Sequence, residues 1–173
     1  KTKTFTFVNK CDINNLRHLI VKKEVLNNVT PSDDYKVKVS LGGQPYTGYY
    51  DLITYNVDGT STTVQNQGPV QGGIITLQHN QAAKILGYVT EKDETTGEEK
   101  KGIPSGTSFK VEELTTETVN KDRYYSPKYT ILNADYNSAK DIKEGFIGEG
   151  YASGKLQLTK DATVTVTNEM KPI

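Results

Sequence analysis

The sequence predicts an all-β protein built as one antiparallel β-sandwich, and three observations lead to this prediction. Many short segments alternate apolar and polar residues with a period of two, which is typical of half-buried strands. Residues that favour turns, chiefly Gly, Pro, Asn and Asp, separate these segments. Apolar residues at helical spacing are scarce, and no convincing helix exceeds one or two turns. A succession of short strands of this kind favours a sandwich.

Composition agrees with this fold class and argues against several kinds of partner. Of the 173 residues, 34% are hydrophobic and 11 are tyrosines, which suits short strands with polar outer faces. The 21 basic residues balance the 21 acidic ones, so nothing in the net charge favours nucleic acid or an anionic membrane surface. No apolar run reaches the length of a membrane span. The single cysteine, Cys11, cannot form an intrachain disulfide, and we expect a free, partly buried thiol.

Each predicted strand rests on its own alternation pattern. Residues 35–41 alternate apolar and polar side chains, residues 109–113 do the same, and the terminal segment 162–168 alternates with β-branched residues throughout. The charged, glycine-centred stretch 91–101 is predicted to be the solvated tip of a hairpin, and residues 103–107 a tight turn. In chain order the predicted strands are residues 1–9, 19–25, 35–41, 46–57, 60–65, 73–78, 109–114, 156–158 and 162–168.

The chain is predicted to contain one principal domain, preceded by a short segment that does not belong to its fold. Phe5, Phe7 and Asn9 repeat the design of the terminal strand, which also alternates apolar residues and then ends in Asn. We therefore interpret residues 1–15 as a strand or linker from a preceding module. Residues 16–173 are expected to form the sandwich domain itself.

Three of the predicted strands place a polar side chain on a face that is otherwise apolar. Lys23 stands between Val21 and Val25, while Glu113 and Asn168 each end the apolar face of a later strand. A buried polar group without a partner costs on the order of a few kcal/mol. Any one of these residues could simply cap a strand or extend to solvent. Their recurrence on an early, a middle and the last strand favours one shared buried cluster.

The segments that carry these three residues resemble a known family. The order L-x-V-x-K-x-V, then P-x-G-T-x-F-x-V-x-E, then V-x-V-x-N is similar to that of the isopeptide-forming pilin and adhesin modules of Gram-positive bacteria, of the CnaB and streptococcal pilin type. The resemblance covers roughly residues 16–169, and departs from the pattern at the 91–101 insertion and in the long segment 119–154. The matching residues are Leu19, Val21, Lys23 and Val25; Pro104, Gly106, Thr107, Phe109, Val111 and Glu113; and Val164, Val166 and Asn168.

This resemblance implies an Ig-like, CnaB-type sandwich that serves as a structural module of a cell-surface adhesin or pilus. It implies an extracellular, cell wall-anchored location with the anchor outside this segment, and neighbouring modules of the same protein as partners. It also implies a spontaneous isopeptide bond between the side chains of Lys23 and Asn168, with loss of ammonia and with Glu113 as the catalytic acid. Burial favours a neutral, nucleophilic amine and a protonated carboxyl that can polarise the Asn168 carbonyl.

Other functions are weaker fits to the sequence. A ligand-binding adhesin domain that recognises a host protein or a glycan is the main rival, and it is compatible with the cross-link. A carbohydrate-active enzyme would need paired carboxylates in a cleft, which nothing in the sequence indicates. We expect no cofactor and no metal, because His18 and His79 stand alone in sequence and the acidic stretch 91–99 lacks calcium-loop spacing.

Overall fold

The structure is a computed structural model that describes residues 16–27, 32–132, 140–141, 144–146 and 162–172. Three sequence predictions lie outside these ranges: the N-terminal strand with its linker role, the thiol of Cys11, and the short strand 156–158. The helical segments that the structure does describe are two 3₁₀ turns, Thr115–Glu117 and Lys121–Arg123. Neither is long or apolar enough to cross a membrane.

Almost all regular structure in the described residues is β-strand, as the sequence predicts. The strands are β1 (Leu16–Arg17), β2 (Leu19–Leu26), β3 (Tyr35–Leu41), β4 (Gln44–Pro45), β5 (Tyr50–Tyr55), β6 (Ser61–Gln67), β7 (Ile74–Leu77), β8 (Gln81–Ile85), β9 (Val89–Lys92), β10 (Glu99–Pro104), β11 (Ser108–Glu113), β12 (Lys128–Leu132), β13 (Lys140–Asp141), β14 (Glu144–Phe146) and β15 (Ala162–Glu169).

Two sheets form the sandwich, and a smaller ribbon is attached to it. The larger sheet has seven strands in the order β13-β12-β15-β2-β8-β5-β6. The second sheet has five strands, β14-β11-β3-β4, with β7 also paired to β3. The ribbon β1-β10-β9 contains the charged stretch predicted as a hairpin tip, and that prediction is confirmed. Its turn is held by Asp93, whose Oδ1 accepts hydrogen bonds from the backbone N–H groups of Thr95 and Thr96.

The main core lies between the inward faces of the two sheets. Strands β2 and β15 bury every second residue, and β3 and β11 do the same from the opposite sheet. Val21 and Val166 thus pack in one cluster with Val37 and Val111. Burial of this apolar surface is the dominant favourable contribution to folding. The all-β sandwich predicted from alternation is confirmed.

One strand pair departs from the antiparallel pattern. Strands β2 and β15 pair in parallel, with Val164 opposite Val21 and Val166 opposite Lys23. Every other strand pair in the described residues is antiparallel. Parallel strands need a crossover connection, and here nearly the whole chain lies between the two. The first long strand and the last are therefore direct neighbours in the middle of the larger sheet.

Two predicted boundaries were wrong. The strand expected at 46–57 begins only at Tyr50, because the chain first folds back over the buried ring of Tyr46. Gly48 permits this close approach, since a Cβ there would lie 2.5 Å from Tyr46 Oη. The turn expected at 103–107 starts only after Pro104, because Ile103 and Pro104 extend β10 to pair with β1.

Candidate cross-link site

Lys23 lies on the inward face of β2, in the middle of the sandwich. Its side chain is fully buried, at 0% exposure, as its position between Val21 and Val25 predicts. The ammonium nitrogen Nζ donates a hydrogen bond to the backbone oxygen of Val166 on the neighbouring strand, at 3.2 Å. It also lies 4.7 Å from the centre of the Tyr35 ring, where a cation is attracted by the π-face.

Glu113 reaches the same point from the opposite sheet. It is the last residue of β11, and 7% of its surface is exposed. Its Oε1 lies 3.2 Å from Lys23 Nζ, and its backbone N–H donates to the hydroxyl of Tyr129 at 2.8 Å. The adjacent Glu112 points outward and forms a half-exposed ion pair with Lys110 at 3.7 Å. The predicted register of this strand is therefore correct.

Asn168 completes the cluster from β15. It is 1% exposed, and its amide nitrogen Nδ2 donates to both carboxyl oxygens of Glu113, at 3.0 and 2.8 Å. The family resemblance implies instead that Glu113 contacts the Asn168 carbonyl, and here the structure differs. Oδ1 accepts no hydrogen bond from the described residues. A half-turn of the carboxamide about its last side-chain bond exchanges the two atoms, because O and N occupy equivalent positions.

Burial sets the electrostatics of the site. Loss of water around Lys23 lowers the pKa of its ammonium from 10.5 to about 8, although the carboxylate of Glu113 acts in the opposite direction. At neutral pH about a tenth of such amines carry no proton and can act as nucleophiles. An exposed lysine with an ordinary pKa would be almost entirely protonated there. The site thus combines a nucleophile, an acyl group and a carboxyl in one buried place.

A second small apolar cluster closes the site at one end. Val25, Tyr35, Tyr124 and Met170 pack together, and the hydroxyls of Tyr35 and Tyr124 lie 2.7 Å apart. Burial and this contact raise the pKa of the Tyr35 hydroxyl far above its usual range, so it stays protonated. The cluster keeps water away from Lys23. The sequence analysis did not predict this role of Tyr35, although Tyr35 is the first inward-facing residue of β3. No sequence pattern indicates Tyr124, which lies between β11 and β12.

The described residues contain no group of His, Cys, Asp and Glu side chains arranged to hold a metal ion. The two histidines instead contact backbone. His79 Nδ1 accepts a hydrogen bond from the N–H of Val25 at 2.8 Å, and His18 Nε2 lies 2.7 Å from the carbonyl oxygen of Lys101. Both rings therefore have structural contacts.

Comparison with known proteins gives a fold but no family. No protein-family model and no curated protein matches the chain. The major pilin of Streptococcus pyogenes is similar in structure, with a TM-score of 0.51 and 16% sequence identity over 90% of this chain and 48% of the pilin. Another S. pyogenes major pilin, T-13, matches with a TM-score of 0.46 and 19% identity over 91% of this chain and 46% of its own. A pilus-presented adhesin matches with a TM-score of 0.41 and 14% identity over 91% of this chain and 28% of its own.

The chain spans about half the length of the pilins that it resembles. Identity this low shows a shared fold and nothing more about activity or partners. The fold of this chain is that of part of a streptococcal major pilin.

Proposed function

We propose that the chain is a structural module of a Gram-positive surface adhesin or pilus, of the CnaB type, stabilised by an isopeptide bond between Lys23 and Asn168. One observation carries this proposal. A single carboxyl oxygen, Glu113 Oε1, lies within 3.2 Å of Lys23 Nζ and 3.0 Å of Asn168 Nδ2. It therefore contacts both the nitrogen that must lose protons and the nitrogen that must gain one. The pilin-like fold agrees with this reading.

The reaction balances with Glu113 as a proton shuttle. The lone pair of neutral Lys23 Nζ attacks Cγ of Asn168 and forms the new C–N bond. Glu113 takes a proton from Nζ and delivers a proton to Nδ2. The Cγ–Nδ2 bond then breaks, and one molecule of ammonia leaves. The product is a secondary amide, and Glu113 ends in the protonation state in which it began.

The fold supplies most of the remaining rate enhancement, because it holds the amine and the amide close together. Strand pairing fixes Asn168 two residues beyond Val166, the residue opposite Lys23, so amine and amide meet without loss of translational freedom. Each molecule reacts once, which makes the bond a maturation step and not enzymatic turnover. Neighbouring modules of the same surface protein would be the partners of a domain that carries tension.

The parallel pairing gives the bond a mechanical purpose. Force applied where β2 begins and where β15 ends acts on opposite ends of the pair and shears its hydrogen-bond ladder. A covalent link between Lys23 and Asn168 passes that force directly from the first long strand to the last. The residues between them are then outside the path of the load. Such a module would extend little under tension.

Intact-mass measurement tests the proposal. The purified chain should weigh less than its sequence mass by one ammonia, and a tryptic map should contain one branched peptide that joins the segments of Lys23 and Asn168. Lys23→Ala and Asn168→Ala should each restore the full mass expected for the variant. An unmodified mass in freshly folded wild-type protein would exclude the cross-link.

A matched pair of variants tests the role of Glu113. Glu113→Ala should fold without losing ammonia, because the proton shuttle is absent. Glu112→Ala should lose ammonia normally, because that side chain faces outward and pairs with Lys110. The reverse result would show that Glu113 plays no part in the chemistry.

A further inference from the structure

A cleft of about 420 Å³ lies directly beside the candidate site. Glu113 and Asn168 form part of its wall, and the segment between β11 and β12 supplies most of the rest, including Thr118, Tyr125 and Ser126. Tyr125 and Ser126 are exposed, so the cleft opens to solvent. Its volume far exceeds that of a water molecule.

Only two of the three residues of the candidate site line this cleft. The side chain that would lose ammonia and the carboxyl that would deliver the proton both line it, whereas Lys23 does not. Lys23 is covered by the ring of Tyr35 and by the backbone of β15. Lys23 is thus shielded from the cleft, whereas Asn168 and Glu113 border it.

Two orphaned polar atoms belong to residues of this same cleft. Among the described residues, the buried side-chain atoms without a hydrogen-bond partner are Thr118 Oγ1 and Asn168 Oδ1. Thr118 is 8% exposed and Asn168 is 1% exposed. Buried polar atoms normally have partners, so two unpartnered ones beside one cleft indicate a small polar occupant. A hydroxyl can both donate and accept, which suits ammonia as well as water.

We propose that this cleft is the route by which ammonia leaves the site, with the Thr118 hydroxyl as its first hydrogen-bond partner. The proposal rests on the cross-link proposed above and adds the direction in which ammonia leaves the site. Ammonia departs from Asn168 Cγ carrying the proton delivered by Glu113, moves into the cleft, and takes a further proton from water there to become ammonium. Its removal prevents the reverse attack of ammonia on the new amide. In this proposal Thr118 acts on ammonia in the cleft and takes no part in the bond that forms.

The experiment measures how fast ammonia is lost when the cleft is altered. The full chain is taken directly into denaturant as it is synthesised, so that it cannot fold and react. It is then refolded by dilution, samples are quenched in acid at intervals, and the mass of each sample is measured. Ser126→Trp, which places a large ring in the cleft, should slow the loss several-fold and still reach the same final mass difference. Val119→Trp is the matched bulky control, because Val119 is exposed at 59% and is not part of the cleft wall.

Thr118 is tested separately by two conservative variants. Thr118→Val removes the hydroxyl and keeps the shape, and it should slow ammonia loss, whereas Thr118→Ser should restore the wild-type rate. Wild-type rates in both Ser126→Trp and Thr118→Val would overturn the exit route while leaving the cross-link intact. Absence of any ammonia loss in the wild-type chain would overturn the cross-link and the route together.

Discussion

The centre of the seven-stranded sheet and its β6 edge differ in how they accommodate polar residues. Around β2 and β15, alternate residues are buried without exception, because the second sheet covers that part. At the β5–β6 end, β5 is half-buried along its whole length and β6 is exposed at all but its last residue. Both regions belong to one sheet, yet only β2 and β15 bury alternate residues along their length.

This difference shows when a polar residue in a strand needs a partner within the protein. On β6, Thr62 and Asn66 are solvated and need no protein partner to be stable there. On the covered strands, a polar residue on the inward face must find a partner or destabilise the fold. Lys23 and Asn168 both find theirs in Glu113. A polar residue in a strand therefore indicates a functional site only where the other sheet buries its side chain.

The largest effect should come from a substitution of Lys23 in the covered centre of the sheet. In the proposed structure the cross-link closes a loop of more than 100 residues, and a link of that size contributes on the order of 5 kcal/mol by restricting the unfolded chain. Lys23→Met should therefore lower the melting temperature by roughly 10–20 °C. Differential scanning calorimetry measures this directly.

The neighbouring lysine provides the matched control. Lys22 points away from the core, and its Nζ lies 4.7 Å from the centre of the Tyr55 ring. Lys22→Met should change the melting temperature by only about 2–4 °C, because a half-buried cation–π contact contributes about 1 kcal/mol. Equal effects of the two substitutions would contradict the proposed link.

A smaller but distinctive effect is expected from pH. Only the neutral amine reacts, and the pKa of Lys23 is lowered to about 8 by burial. The rate of ammonia loss should therefore rise by about tenfold for each pH unit in the range below that pKa, and level off above it. Refolding in a series of buffers from mildly acidic to mildly alkaline pH, followed by intact mass, gives the profile.

Refolding itself must be followed in parallel, by the fluorescence of the eleven tyrosines, to show that the pH acts on the chemistry. A rate of ammonia loss that does not change with pH while folding is complete would mean that deprotonation of Lys23 does not limit the reaction. The lowered pKa would then be irrelevant to the bond.

Much of the candidate site could be predicted from sequence, because it depends on local alternation. The inward placement of Lys23, Glu113 and Asn168 follows from a period of two, which each strand displays by itself. The parallel pairing of β2 with β15 could not be predicted, since pairing depends on contacts between distant segments. The aromatic cover from Tyr124 was missed for the same reason. The orientation of the Asn168 amide depends on a hydrogen bond that no sequence pattern encodes.

The smallest effect is expected at the exposed end of the sheet. Val64 lies on β6 opposite Leu52 and is 52% exposed, so Val64→Thr exchanges one methyl for a hydroxyl that water can satisfy. The change in unfolding free energy should stay within about 0.5 kcal/mol, and the melting temperature within roughly 2 °C. The same exchange in the covered centre, Val166→Thr, places a hydroxyl at a position with 0% exposure, where an unsatisfied polar group costs about 1–3 kcal/mol. Thermal unfolding of the two variants compares the centre and the edge of the sheet with identical chemistry. A loss of stability at Val64 as large as at Val166 would mean that β6 is covered in the native protein, and the contrast between centre and edge would not hold.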